Sequence, residues 1–296
     1  MSDSGNPKLV AVIGQGNMGT ALAEALLTAG FPVTVWNRTA DKCSTAGEKG
    51  AEVASSPAQA LSVAEVVILC VSDHMASKEI LFNDELAGLL SSKLLVQLSS
   101  ISSEQSREMN EWASGFQIDY IEGSIFGLPI DIRESSAILA YAGRRSVFDE
   151  HEAVFSALGG NPRFIGEAIG SAVTIDKIVY ACGYAMMQGY MQAAALAHAS
   201  DVSIEVFTEI LLARLPFWSR ALSRHGKAIA NRDHDEVDCR LDVHAAAFAG
   251  TLALCHETGV DSSLPSAMMH NFERAIEKGH GGQQITALFE ALIPNN

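Results

Sequence analysis

The sequence is short of paired cysteines, basic residues and long apolar runs. Its five cysteines, Cys43, Cys70, Cys182, Cys239 and Cys255, are odd in number and form no CxxC. That argues against a zinc site or a disulfide framework and leaves reduced thiols in a cytoplasm as the expectation. Lysine and arginine number 20 against 35 acidic residues, a net charge of −15. Such a balance argues against nucleic-acid binding and against docking on anionic membranes. It does not exclude an anionic cofactor, because N–H groups and an arginine or two can hold a phosphate locally. No apolar run approaches the ~20 residues of a spanning helix. The polar start MSDSGNPK has no h-region, so no secretory signal is expected. His198, His225, His234 and His256 have no ligand-like spacing and read as surface or loop residues, so no metal is expected.

What is present is a core-forming chain with two rhythms. In the first half, short apolar segments (KLVAVIG, PVTVWN, AEVA, EVVILCVS, KLLVQLSS, FQIDYIEG, SAILAYAG) alternate with helix-like ones such as NMGTALAEALLTAG and PAQALSVA. Alternation of this kind predicts βαβ units and a mostly parallel sheet. VAVIG and VVILCV, apolar throughout, fit central strands covered on both faces. From about Gly166 the spacing is helical. TIDKIVYACGYAMMQGYMQAAALAHASD can form one long helix despite Gly183 and Gly189. The expected class is therefore α/β: an N-terminal Rossmann domain over residues 1–165, then residues 166–296 with a long interdomain helix and an all-helical C-terminal domain.

Gly14, Gln15, Gly16, Asn17, Met18 and Gly19 form a GxGxxG loop between the first strand and a helix, the context that gives the motif meaning. Gly14 permits the tight turn, Gly16 lets the backbone approach a pyrophosphate, and Gly19 lets helix and strand pack closely. After the second strand an NAD enzyme usually carries an acid for the ribose 2′-hydroxyl. Here stand Asn37, Arg38 and Thr39, with Lys42 close behind. A guanidinium pairs with a 2′-phosphate in two parallel hydrogen bonds, so the expected cofactor is NADPH/NADP+. Val71 and Ser72, after the fourth strand, should lie on the cofactor.

A Rossmann half followed by a helical half resembles the 6-phosphogluconate dehydrogenase-like superfamily, within which two branches differ at the site. VWNRT at 35–39, GSAVTID ending at Asp176, and GHGG at 279–282 are similar in order and spacing to the imine reductases and reductive aminases, over nearly the whole chain. The hydroxyacid branch fits less well. Its DAPVSGG is replaced by IEGSIFG, with Ile125 and Phe126 where polar carboxylate contacts would stand. Four residues after Lys177 comes Ala181 rather than asparagine. Asp176 and Lys177, about 100° apart on a helix, are not expected to face one pocket, so Lys177 is expected to point elsewhere.

The resemblance implies NADPH-dependent reduction of C=N bonds, in cyclic imines or iminium ions or in reductive amination, by hydride transfer. It implies that Asp176 protonates or holds the iminium and that Tyr184 orients the substrate. It implies Ser99 and Ser100 near the nicotinamide, and Trp218 and His244 in the pocket. Tyr180, one turn beyond Asp176 on the same face, joins the candidate pocket with Ile125 and Phe126. It also implies a homodimer interlocked through the helical half. An NADP-dependent hydroxyacid dehydrogenase and a catalytically silent NADP(H)-binding protein are the alternatives.

Overall fold

In the computed structural model, alternate residues of the short apolar strands face opposite ways, as a strand's two-residue period requires. Val10, Val12, Val66, Ile68, Leu94 and Val96 enter one hydrophobic cluster, and Ala11, Ile13, Val67, Leu69 and Leu95 enter another on the opposite face. The structure describes residues 7–134 and 137–294. The N-terminal residues 1–6, and Ser136 at the head of the expected SAILAYAG strand, lie outside the described residues. The chain divides into two compact units, Met1–Ala181 and Cys182–Asn296.

The first unit is built on eight strands: β1 (Val10–Ile13), β2 (Val33–Trp36), β3 (Glu52–Val53), β4 (Val66–Leu69), β5 (Leu94–Gln97), β6 (Asp119–Phe126), β7 (Ile138–Gly143) and β8 (Asn161–Gly166). Their order is β3-β2-β1-β4-β5-β6-β7-β8. Neighbours run parallel except β6 and β7, which are antiparallel. The sheet is thus mostly parallel, as expected, with helices on both faces. Two details differ from the sequence reading. β6 runs on through SIF to Phe126, and NPRFIG, read only as the approach to a boundary, forms β8. β8 ends the strand order, so Pro162 lies in an edge strand, where its missing N–H is tolerated.

The segment after β8 forms one helix, Ser171–Ala199, and neither Gly183 nor Gly189 breaks it. The seam between the two compact units falls within this helix. The second unit continues through Ile204–Asn231, which contains Pro216, then Leu241–Thr258 and Ser263–Ala275. Its core is small: Leu241, Ala245, Phe272, Ala275, Ala287 and Ala291. No residue of the 28-residue helix Ile204–Asn231 is buried. Among the described residues, no helix is long and apolar enough to cross a membrane.

Candidate functional site

Register places the chemistry-bearing residues of the first unit along one edge. Ile13, Leu69, Gln97 and Glu122 pair in sequence across β1, β4, β5 and β6. At about 4.8 Å per strand this row spans about 14 Å. The strand order reverses between β1 and β4, which opens a crevice at the carboxyl ends, the usual ligand position in such sheets.

The glycine loop leaves β1 at that reversal. A Cβ on Gly14 would lie 2.2 Å from the Cys70 carbonyl oxygen, and one on Gly19 would lie 1.9 Å from the Gly14 carbonyl oxygen. The fold itself therefore requires those two glycines. Gly16 is different: a Cβ there would meet nothing within 4 Å, and its φ of −79° and ψ of −177° suit any residue. Among the described residues nothing needs Gly16 to lack a side chain, whereas a pyrophosphate approaching the backbone would. The helix α1 (Asn17–Thr28) has no side-chain cap at Gly16, so its first N–H groups are not taken by a capping side chain. Bare N–H groups at a helix start are the donor set that binds phosphate.

The neighbouring turns are tied to this loop. The Gln15 N–H donates to Asn37 Oδ1 at 3.0 Å, and Asn37 Nδ2 donates to the Thr39 carbonyl at 2.9 Å. Asn37 thus locks the end of β2 to the glycine loop. The Arg38 side chain is 84% exposed, with the Glu79 carboxylate beside it at 3.6 Å. Lys42 is exposed on the turn Ala40–Cys43. Both cations are exposed, and the Arg38–Glu79 pair, open to solvent on both sides, holds the guanidinium weakly. Ser99 is buried, and its Oγ accepts from the Val71 N–H at 2.9 Å, joining the ends of β4 and β5. Ser72 and Ser100 are exposed at the same edge.

The candidate carboxyl, Asp176, rises from a helix whose start is clamped to β6. Glu122 Oε1 accepts from the N–H groups of Gly170 at 2.8 Å and Ala172 at 2.9 Å. Its other oxygen accepts from the Ser106 hydroxyl, which also meets Tyr120 Oη at 3.0 Å. Burial pushes the Tyr120 phenol well above its ordinary range, so it stays protonated. Ala172 and Ile175 pack on Ala140, Ala142 and Phe126, and the alanines are small enough to let the helix lie close to the sheet. Lys177 is exposed, as expected, but its ammonium turns back on its neighbour. Its ammonium lies 2.9 Å from Asp176 Oδ2, with side chains 68% and 15% exposed respectively. The 100° argument treats side chains as short spokes, and a four-carbon stem bridges that angle.

Comparison with known proteins places both halves. Residues 9–170 match the NAD binding domain of 6-phosphogluconate dehydrogenase, and residues 168–293 match the C-terminal domain of NADPH-dependent reductive aminase-like proteins. The solved imine reductase of Myxococcus stipitatus in complex with NADP+ is 31% identical, covers 97% of this chain and 100% of its own, and superposes with a TM-score of 0.86. This chain belongs to the imine reductase and reductive aminase family. A reductive aminase of Aspergillus oryzae is 29% identical over 96% of both chains. Glyoxylate/succinic semialdehyde reductase 1 of Arabidopsis thaliana is 28% identical over 96% of this chain and 98% of its own.

In this family member the remaining candidates divide between the two units. Ile125 packs against one sheet cluster and Phe126 against the alanines beneath the long helix, so both are partly core residues. Tyr180, in the first unit, is exposed one turn beyond Asp176. Tyr184, Trp218 and His244 belong to the second unit, the first two exposed and His244 half-buried. His234 sits in a loop, as the sequence allowed, and is buried there, with Nδ1 2.9 Å from Thr286 Oγ1 and Nε2 3.1 Å from Glu290. Among the described residues, no group of three or more His, Cys, Asp or Glu could hold a metal ion. The sequence reading passed over Glu122. A lone acid between apolar neighbours in YIEG is the signal that could have found it.

Proposed function

We propose that the protein reduces C=N bonds, in cyclic imines or in iminium ions formed from a carbonyl and an amine, with NADPH as the reductant. The carrying observation is a carboxyl, Asp176, that is largely buried yet has one cation at hand, on a helix clamped to the same sheet edge as the glycine loop. When bound, NADPH supplies the hydride. Gly16 and the uncapped start of α1 hold its pyrophosphate, Arg38 with Lys42 meets its 2′-phosphate, and Val71 and Ser99 shape the nicotinamide end. Asp176 holds the positive nitrogen of the iminium. Lys177, which pairs with that carboxylate, is displaced as the substrate cation takes its place. A C=N carbon accepts hydride only when its nitrogen is protonated, so an anion at this position stabilises the reactive form and its developing transition state. Ser100, Ile125, Phe126 and Tyr180 are the first unit's candidates for substrate contact, and Tyr184, which would orient the substrate, Trp218 and His244 are the second unit's.

In this reading residues 1–165 bind the dinucleotide, and residues 166–296 carry the interdomain helix and the dimerisation and substrate domain. A homodimer is favoured by the second unit. Its helix Ile204–Asn231 buries none of its residues and exposes Ile210, Leu212, Leu215, Phe217, Trp218 and Leu222. An apolar surface on that scale marks an interaction site, and a second copy supplies a matching one. Five free thiols fit a cytoplasmic setting.

The test follows NADPH absorbance with a small cyclic imine, with a ketone plus amine, and with a 3-hydroxyacid and NADP+ in reverse. Turnover of either nitrogen substrate is expected, and Asp176→Ala should keep NADPH affinity while losing most of that turnover. Hydroxyacid oxidation alone, or survival of imine turnover within about tenfold in Asp176→Ala, roughly 1.4 kcal/mol of barrier, overturns the proposal.

A further inference from the structure

Glu122 is the one Asp, Glu, Lys or Arg among the described residues that is buried. A carboxylate in an apolar interior is costly unless its lone pairs are used. Here they are used in one direction. Two backbone N–H groups at the start of the helix Ser171–Ala199 converge on one oxygen, and the Ser106 hydroxyl takes the other. These N–H groups lie at or before the first turn of the helix, where no intrahelical partner exists, and the helix dipole favours an anion there. The approach is equally constrained. Gly170 has φ of +100°, and a Cβ on it would lie 2.8 Å from Arg107 and 3.0 Å from the Ser103 Cβ.

We infer that Glu122 is a positioning residue for the reaction: its carboxylate fixes the first turn of the long helix and thereby sets where the Asp176 carboxyl stands. This rests on the reading of Asp176 given above. Asp176 lies four residues past Ala172, one turn and about 6 Å along the axis, so a shift of the clamped N–H groups carries over to it. Displacing a reacting group by about 1 Å costs on the order of a hundredfold in rate. A purely structural cap needs only an acceptor. An acid that is buried, shared with Ser106 and aimed at the turn before Asp176 does more, because it removes the freedom of that turn to rotate. Glu122 is fully buried, so the role assigned to it is exerted through the helix and not on the reacting atoms.

The test is a double-mutant cycle on the full-length protein, using single-turnover reduction of a five-membered cyclic imine and fluorescence titration of NADPH. Glu122→Ala is expected to slow hydride transfer at least thirtyfold, with NADPH Kd within threefold of wild type. In the Asp176→Ala background it should slow the residual reaction no more than threefold. Glu122→Gln keeps the reach and one acceptor oxygen, so it should restore the rate to within about tenfold of wild type. It also carries the same cycle if the alanine variant does not fold, with a loss in the wild-type background that vanishes beside Asp176→Ala. Three results overturn the inference: a Glu122→Ala rate within threefold of wild type, equal losses with and without Asp176, or a fall in NADPH affinity that matches the fall in rate. If Asp176→Ala is itself as fast as wild type, the reading of Asp176 has failed, and this result separates that failure from a silent Glu122.

Discussion

Replacing Gly16 or Gly19 with alanine adds the same methyl group to the same loop with opposite consequences. At Gly19 the new Cβ starts 1.9 Å from the Gly14 carbonyl oxygen and must open beyond 3.0 Å, both partners being backbone. The start of α1 then has to leave β1. Overpacking of this kind costs about 1–3 kcal/mol or more, which at about 2–4 °C per kcal/mol lowers Tm by roughly 2–12 °C. At Gly16 the Cβ meets nothing within 4 Å, and the extended backbone there suits alanine. Loss of glycine entropy in the unfolded chain even favours the variant by about 0.4–1 kcal/mol. Its Tm should therefore hold or rise slightly. The methyl stands where the pyrophosphate must come, so NADPH Kd should rise at least about tenfold, or about 1.4 kcal/mol. Thermal melts and fluorescence titration of both variants decide the matter. A Gly16→Ala protein that binds NADPH within twofold of wild type would take the dinucleotide off this loop and refute the reasoning.

Arg38→Ala should weaken NADPH binding at least about tenfold and leave NADH binding unchanged, since the removed group can meet a 2′-phosphate bidentately; titration with both dinucleotides measures it, and unchanged NADPH binding is the contrary result. Light scattering should find twice the chain mass in solution, and a monomer at micromolar concentration would count against the proposed homodimer. Acid stability follows from two carboxylates held below their usual range: Glu290 by hydrogen bonds from Arg232 and His234, and Glu108 by hydrogen bonds from Lys78 and His74. Each binds fewer protons folded than unfolded, so its contribution is complete above the ordinary value of 4.5 and is lost as pH falls through the lowered one. The share of the melting temperature that these two carboxylates supply should hold down to about pH 5 and then decline, with Glu290→Gln declining less steeply than wild type below that point.

The dinucleotide half was legible because its signals are local. A glycine turn between strand and helix announces itself within six residues, and each apolar run from VAVIG to LLVQ became a strand. The helical half was legible as helices, with the exposed apolar faces visible only once the packing was known. β8 escaped because NPRFIG carries a proline and too few residues to display a period. Glu122 escaped because its partners, Gly170 and Ala172, lie 48 and 50 residues away, and no window of sequence contains both ends. The Lys177–Asp176 pair escaped for a different reason: rotation per residue describes where a stem leaves the helix, not where a flexible ammonium ends.

The register row from Ile13 to Glu122 has a consequence for how this chain can vary in length. Successive residues of a strand point to opposite faces. Removing one residue from β6 ahead of position 122 would therefore turn the carboxylate through the sheet, away from Ser106 and the long helix, with every side-chain volume otherwise preserved. Insertions belong in the connections outside the paired rows. Length changes there leave the paired rows intact, so two lineages of this chain can differ by many residues between strands and by none within them.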